Sequence, residues 1–337
     1  MKYGLLNYEE TPSGTINIGD HIQSLAAKQY LPQVDKLIYR DHLNAPLDKV
    51  HKMIMNGWYT HKPQNWPPTE NLLPLFVSFH LNSASAPSIL SNKKNVDYLK
   101  AFSPIGCRDY TTLKFLTEVG IDAYYSFCLT TTLDLKYKLK DDSERTDNIY
   151  LVDVLFKENY KDIYRVAPKK ILPHIINGKY FKRHDWERKI NKLIPKEILL
   201  KAQTLTHHFH RSELAVESEF DKAEELLYKY ARAKLVITSR IHCALPCLAL
   251  GTPVVFVHGG GLNQPNEIVR LKGTIDHLNV LVDTNEGKIS QKSLELFPHA
   301  YTSKTIDWNN IKNSTDHISL SNKLKDSCTR FITEGRG

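Results

Sequence analysis

The clearest strand–helix–strand pattern of the chain is residues 233–257, which read AKLVITSRIHCALPCLALGTPVVFV. Apolar runs at 234–238 and 253–257 predict two strands, and 241–250 between them predicts a helix. Short, continuously apolar strands on either side of a helix are typical of a parallel sheet that is covered on both faces. The stretch therefore favours an α/β fold.

The same alternation extends in both directions along the chain. Further strands are predicted at 2–8, 50–55, 73–78, 121–127, 149–155 and 202–206. Further helices are predicted at 20–31, 110–119, 185–193 and 220–232, with a last one at 317–331 that packs back across the domains. The polar run KDDSERTD at 140–147 interrupts this pattern. We therefore predict two doubly wound domains, residues 1–143 and 144–310, and a tail of residues 311–337.

Length and composition agree with two ordinary globular domains. The chain has 337 residues, of which 41% are hydrophobic and 24% are charged. The sequence contains no apolar run of signal-peptide or membrane-spanning length, so we expect a cytoplasmic protein. The five cysteines are scattered without a CxxC pair, which argues against a disulfide framework or a zinc knuckle.

The chain carries a formal net charge of +8, which favours an anionic partner. A phosphorylated substrate, an anionic lipid surface and nucleic acid all satisfy that condition. Nucleic acid is the least favoured of the three, because the sequence shows no RNP-like motif and no zinc finger.

Three polar residues follow the first strand of the opening stretch. Ser239 and Arg240 come directly after that strand, and His242 lies in the first turn of the next helix. The carboxyl edge of an open α/β sheet is where ligands bind, and a helix N-terminus attracts anions. An arginine adds a bidentate donor and a histidine adds a proton carrier. The sequence alone is equally consistent with a solvated Arg240 and a hydrogen-bonded, partly buried His242.

Two other segments place polar residues where a glycine turn enters a helix. In SPIGCRD at 103–109, Gly106 permits a tight turn and Arg108 is placed to enter a cleft, unless Arg108 and Asp109 only cap the helix. In NIGD at 17–20, Asn17 and Asp20 follow the first strand. Asp20 is either a helix cap or a carboxylate that binds an acceptor.

Several histidines are weaker candidates. The run HHFH at 207–210 invites a metal hypothesis, but adjacent histidines point in different directions and no carboxylate or cysteine stands at ligand spacing. We therefore expect no metal, and retain His207 as a cleft residue. His80 follows a predicted strand and more often represents a satisfied core histidine than a catalyst. Glu267, beyond the GGG loop at 259–261, is an ambiguous cleft candidate.

Five segments together resemble recurring segments of the polysaccharide pyruvyl transferase family, and they occur in the same order. They are NIGDHIQSLA at 17–26, IMNGW at 54–58, PIGCRD at 104–109, YSFCLTTTL at 125–133 and TSRIHCALP at 238–246. The resemblance runs from about residue 3 to about residue 280. It implies a GT-B-like architecture, in which two Rossmann-like domains face a cleft. It also implies phosphoenolpyruvate as donor, a saccharide as acceptor, no cofactor or metal, and a role in cell-surface polysaccharide biosynthesis.

The resemblance also assigns residues. The arginine and histidine that hold the donor in the family fall on Arg240 and His242, and the basic residue of its Gly-x-Arg-Asp segment falls on Arg108. Ser239 belongs to the same donor-binding segment. Arg240 and His242 are expected to be catalytic, with His242 or another cleft acid protonating the donor. The expected acceptor or cleft residues are Asn17, Asp20, His80, His207 and Glu267.

Two alternatives remain open from the sequence. One is a glycosyltransferase of the same architecture that uses a nucleotide sugar, and the other is a non-catalytic protein that binds a sugar or phosphate. The basic charge is also compatible with peripheral contact at the inner membrane face, where a lipid-linked acceptor would lie. The sequence does not indicate which sugar is the acceptor.

Overall fold

The computed structural model describes residues 1–9, 14–156, 169, 171–176, 185–214, 218–259, 262, 271–284 and 288–334. These residues form a mixed α/β structure with one parallel sheet in each half of the chain. The α/β fold predicted from the sequence is therefore confirmed. Among the described residues, no helix is both long enough and apolar enough to cross a bilayer.

The N-terminal half is built on a four-stranded parallel sheet. The strands of this half are β1 (Lys2–Asn7), β2 (Thr15–Asn17), β3 (Lys36–Tyr39), β4 (His51–Met55), β5 (Trp58–Tyr59), β6 (Leu72–Phe76), β7 (His80–Leu81), β8 (Ile105–Cys107) and β9 (Ala123–Tyr125). Its helices are α1 (Ile18–Lys28), α2 (Ala86–Leu90), α3 (Lys93–Ala101), α4 (Tyr110–Glu118) and α5 (Asp134–Tyr137). The sheet has the order β3–β1–β4–β6, and β5–β7 and β8–β9 form two further parallel pairs.

The C-terminal half is built on a six-stranded parallel sheet. The strands of this half are β10 (Ile149–Val152), β11 (Ala202–Leu205), β12 (His208–His210), β13 (Leu235–Thr238), β14 (Val254–His258), β15 (Asn279–Val282) and β16 (Ala300–Tyr301). Its helices are α6 (Ile171–Ile176), α7 (Asp185–Leu193), α8 (Lys196–Leu199), α9 (Glu219–Arg232), α10 (Ile241–Ala249), α11 (Lys288–Leu296) and α12 (Ile318–Thr333). The sheet has the order β11–β10–β13–β14–β15–β16.

Both sheets reverse their strand order at one point, between β1 and β4 in the first sheet and between β10 and β13 in the second. The connections that leave the two central strands run to opposite sides there, which opens a crevice at the carboxyl ends of the strands. In such sheets this crevice is the usual ligand site. The two reversal points therefore mark where a site is expected.

Alternating side chains of the strands are buried on both faces of each sheet. In β13, Leu235 and Ile237 pack in one apolar cluster while Val236 packs in another. The cluster that holds Val236 also holds Leu5 of β1 and Ile54 of β4, so one apolar core joins the two halves. Strand β12 pairs antiparallel with β2 and adds a backbone link between the halves. All five cysteines are buried and free, as their scattered spacing predicts.

Helix α12 also connects the two halves. Lys52 Nζ in β4 donates hydrogen bonds to the carbonyl oxygens of Phe331 at 2.6 Å and Glu334 at 2.8 Å. Near the start of the helix, Ser321 Oγ donates to Thr131 Oγ1 at 2.8 Å. The C-terminal helix therefore packs on residues of the N-terminal half. The division of the chain into domains at residues 143 and 310 stays a prediction.

Two local predictions, for Gly106 and for the strand at 121–127, are wrong, and one of the two alternatives for Asp20 is excluded. Gly106 lies in β8 rather than in a turn, and it is required because a Cβ there would lie 2.9 Å from Ser126 Cβ. Asp20 does not cap α1, because the Asn17 side chain accepts a hydrogen bond from the Gly19 N–H. The strand predicted at 121–127 is only Ala123–Tyr125.

Arg145 supports the ends of two helices, which leads to a prediction about stability. Its guanidinium donates to the carbonyl oxygens of Ala231 at 2.9 Å and Leu250 at 3.1 Å, at the ends of α9 and α10, and to Thr252 Oγ1 at 2.9 Å. Arg145→Ala leaves these acceptors without their charged donor, so we expect the free energy of unfolding to fall by about 2–3 kcal/mol. Urea denaturation measures the change.

The exposed Arg232 supplies the control for this prediction. Arg232→Ala removes a guanidinium that lies 6.0 Å from the Tyr228 ring, and it is expected to change stability by less than about 0.5 kcal/mol. Equal unfolding midpoints for the Arg145→Ala and Arg232→Ala variants would show that the helix ends do not depend on Arg145.

Candidate functional site

A cavity of about 340 Å³ lies at the carboxyl edges of both sheets. From the N-terminal half it is lined by Asn17 and Asp20 at the start of α1, by Arg40 after β3, and by Arg108 after β8. The C-terminal half contributes His207, Ser239, Arg240 and His242 to its wall. The cavity therefore brings together candidate residues that lie far apart in the sequence.

An ion pair holds Arg240 at the N-terminus of α10. It is the N-cap residue of the helix, and its Nε donates to Asp153 Oδ2 at 2.9 Å. Asp153 directly follows β10, and its Oδ2 also accepts from the His207 N–H at 2.9 Å. Burial opposes ionisation of Asp153, but Arg240 and the His207 N–H outweigh it and lower the pKa of the carboxyl. The ion pair therefore lies at the strand-order reversal between β10 and β13.

Arg108 is a buried cation with a different environment. The residue is only 5% exposed, and its Nη1 donates to Gln23 Oε1 at 3.1 Å. Its Nε is buried without a hydrogen-bond partner among the described residues, and no described carboxylate forms an ion pair with it. The neighbouring carboxyl, Asp109, accepts instead from the Thr112 N–H and pairs with His80. A buried guanidinium of this kind favours binding of an anion.

His242 lies in the first turn of α10 and reaches Arg108 across the cavity. Its Nε2 is 3.3 Å from Arg108 Nη1. A guanidinium can only donate, so the ring nitrogen accepts in this arrangement and carries no proton. His242 and Arg108 therefore form a contact between the two halves of the site.

The start of α1 approaches the C-terminal half closely. A Cβ on Gly19 would lie 3.0 Å from His207 Nδ1 and 3.4 Å from His242 Cβ, so only glycine fits without a shift. The other ring nitrogen of His207, Nε2, lies 2.8 Å from the Tyr230 hydroxyl. Asp20, in the first turn, accepts from Gln23 Nε2 at 3.1 Å and faces the cavity. The Asp20 carboxylate and the His207 imidazole thus lie on either side of the N-terminus of α1.

The side chain of Ser239 is hydrogen-bonded to the protein backbone. The hydroxyl donates to the Val257 carbonyl at 2.7 Å and accepts from the Leu155 N–H at 2.8 Å. These contacts use its only proton, so the side chain positions the turn before Arg240 and has no donor left for a ligand.

One predicted cleft residue, His80, is not found at the cavity. His80 is buried and pairs through Nδ1 with Asp109 Oδ2 at 2.5 Å, away from the cavity lining. The interpretation of His80 as a core histidine fits this position. Glu267 lies outside the described residues.

An aromatic and basic wall of the cavity, formed by Arg40, Trp58 and His61, was not predicted from the sequence. The Arg40 guanidinium lies 4.7 Å from the centre of the Trp58 ring, and the Trp58 and His61 rings are 4.6 Å apart. Asp41 fixes this wall, because it accepts from Arg40 at 2.6 and 3.0 Å and from the His61 N–H at 2.7 Å. The only signal in the sequence was Trp58, which ends one of the five recurring segments.

Comparison with known proteins identifies the family. The model of the family described as polysaccharide pyruvyl transferase matches residues 17–258, which include Arg40, Arg108, Arg240 and His242. No curated protein sequence gives a significant match to the chain. Because the family match covers well over half of the chain, the protein belongs to the polysaccharide pyruvyl transferase family, a family of enzymes.

Proposed function

We propose that this enzyme transfers the pyruvyl group of phosphoenolpyruvate to a saccharide and forms a cyclic ketal on two sugar hydroxyls. The observation that carries the proposal is the buried Arg108 guanidinium, whose Nε has no hydrogen-bond partner among the described residues, beside Arg240 and His242 in one cavity. We further propose that the two halves are Rossmann-like domains in a GT-B-like arrangement, with the donor held by residues 144–310 together with Arg108 and the acceptor by residues 1–143.

The charges of the cavity suit a small molecule with a carboxylate and a phosphate. Arg40 and Arg240 each have a carboxylate partner, Asp41 and Asp153, whereas Arg108 has no such partner among the described residues. We assign one anionic group of the donor to Arg108 and the other to Arg240 and the N-terminus of α10. Because these groups already stabilise the charge of the donor, we propose that transfer needs no metal ion or other cofactor.

The chemistry proposed for His242 follows from its contact with Arg108. In the free site the imidazole accepts from Arg108 at 3.3 Å. An anion that takes over the N–H groups of Arg108 releases the ring nitrogen, which can then carry a proton to the methylene carbon of the donor. Protonation makes the adjacent carbon electrophilic, and one sugar hydroxyl adds to it and loses its proton. A second hydroxyl then displaces phosphate, which leaves with the remaining proton.

The acceptor is assigned to the N-terminal wall of the cavity. Trp58 is half-buried and offers a ring face for the apolar face of a sugar, while Asp20 offers a carboxylate for a hydroxyl proton. Asn17 and His207, which also line the cavity, complete the proposed acceptor side. The wall is fixed before the sugar arrives, because Asp41 holds both Arg40 and the His61 backbone.

Ligand-induced thermal shifts distinguish this proposal from a glycosyltransferase. A ligand that binds only the native state stabilises it by about 2.7 kcal/mol at a hundredfold excess over its Kd. We expect phosphoenolpyruvate to raise the melting temperature by several degrees and a panel of nucleotide sugars to leave it unchanged. The opposite pattern would assign the cavity to a nucleotide sugar and end the proposal.

Catalysis is tested separately from binding. Incubation with phosphoenolpyruvate and a panel of saccharides is expected to release phosphate and to give one sugar product heavier by one pyruvyl group. Detection of that product by mass spectrometry excludes a protein that only binds. Phosphate released without a modified sugar would indicate hydrolysis of the donor and contradict transfer.

A further inference from the structure

The positive charge of the chain is concentrated in one segment. Residues 169–192 contain eight lysines and arginines against two acidic residues, a net charge of +6, whereas the whole chain carries +8. The segment includes α6 and α7 and belongs to the connection between β10 and β11.

Helix α6 exposes an apolar face to solvent. Leu172 is 65% exposed, Ile175 is 40% exposed and Ile176 is 78% exposed. The spacing of three and four residues places these side chains on the same face of the helix. Lys169, just before the helix, is exposed as well. Neighbouring apolar and basic side chains of this kind are typical of segments that lie in a membrane interface.

In helix α7, in contrast, the apolar side chains are buried and the basic side chains are exposed. Ile190 and Leu193 are buried in the core beneath the six-stranded sheet, while Arg188 and Lys192 are exposed. The helix is therefore anchored to the domain by its apolar side and presents basic side chains outward. Such a surface attracts anionic lipid headgroups.

The connection leaves the sheet beside the proposed active site. Phe156, four residues after the end of β10, lines the cavity. At the start of α7, Trp186 Nε1 donates to the Val154 carbonyl at 2.6 Å. Lys189, one turn further on, lies 4.0 Å from Asp283, which follows β15 at the same edge of the sheet. Both the chain entering the segment and the start of α7 are thus fixed close to the cavity.

We propose that α6, with Lys169 and the outer face of α7, docks the enzyme on the anionic surface of a lipid bilayer. The apolar side chains of α6 enter the interface, and the basic residues contact lipid phosphates. Exposed leucine and isoleucine favour a bilayer over a soluble polyanion, which would require charge alone. The further step, that docking presents the cavity to a lipid-linked saccharide, rests on the proposed function.

Vesicle sedimentation tests the docking surface on the full chain. The wild type is expected to bind vesicles of equal parts phosphatidylcholine and phosphatidylglycerol and to bind pure phosphatidylcholine vesicles much more weakly. The double variant Leu172→Glu/Ile176→Glu is expected to lose at least about tenfold in affinity for the mixed vesicles. Both side chains are exposed, so the melting temperature should remain that of the wild type.

The chain provides a matched control in Leu200, which is 76% exposed and lies before β11, at the opposite edge of the sheet. Leu200→Glu should bind mixed vesicles like the wild type. If the wild type does not bind the mixed vesicles, the proposal is overturned. So does a double variant that binds them undiminished, because binding would then depend on charge alone and indicate a soluble polyanion as partner. Phosphoenolpyruvate thermal shifts on the same proteins separate a failure of docking from a failure of the donor assignment.

Discussion

Arg108→Met is expected to abolish pyruvyl transfer and yet to leave the fold at least as stable as that of the wild type. The guanidinium is buried, and its Nε has no hydrogen-bond partner among the described residues. Keeping such a charge in the free protein has a cost, which methionine of similar length removes. Its proposed use is to hold a donor anion, so kcat/KM should fall by about a thousandfold or more. Calorimetric titration with phosphoenolpyruvate and thermal unfolding measure both effects.

The control for this variant is Arg330→Met, on the exposed side of α12. It removes the same charge from the protein surface and should leave both transfer and stability unchanged. A fall of several degrees in the melting temperature of Arg108→Met would mean that the arginine stabilises the fold. The principal evidence for an anion at this position would then be lost.

The strands that the sequence predicted most clearly are buried on both faces. Strands β13 and β14 read as continuous apolar runs because one set of side chains packs on each side of the sheet. Strand β3, with the sequence KLIY, lies at an edge of its sheet and buries only one residue. Strands β8 and β16 have only three and two residues. Strands of two or three residues carry no periodicity long enough to detect.

The sequence predicted those residues of the candidate site that directly follow a clearly predicted strand. Arg240 and His242 follow a strong strand, and a parallel sheet brings such residues to the ligand-binding edge. Arg40 could not be found in this way, because it follows the undetected strand β3 and its orientation depends on Trp58. The role of Asp153 also depends on a long-range contact, its ion pair with Arg240.

Arg240→Ala is expected to abolish transfer as well, but with the opposite effect on stability. Its Nε neutralises Asp153, whose side chain is 14% exposed. Without Arg240 this partly buried carboxylate keeps the His207 N–H and the Thr206 side chain but no charged partner, so the free energy of unfolding should fall by about 1–3 kcal/mol. Arg240→Lys keeps a charge near Asp153 and should retain most of the stability. It should still lose about a hundredfold in kcat/KM, because lysine cannot bind an anion in a bidentate manner.

The pH dependence of unfolding tests whether Asp153 is the cause. Arg240 helps to lower the pKa of this carboxyl in the folded state, so the pair stabilises the protein at neutral pH and loses its contribution as the pH falls through that depressed pKa. The difference in unfolding free energy between the wild type and Arg240→Ala should therefore be full at pH 7 and shrink in the acid range. A difference that persists after Asp153 is protonated would assign it to lost packing on Phe156, which the guanidinium approaches to 4.5 Å. If Arg108→Met and Arg240→Ala change stability in the same direction, one arginine cannot be unpaired while the other is paired, and the division of donor groups between them is wrong.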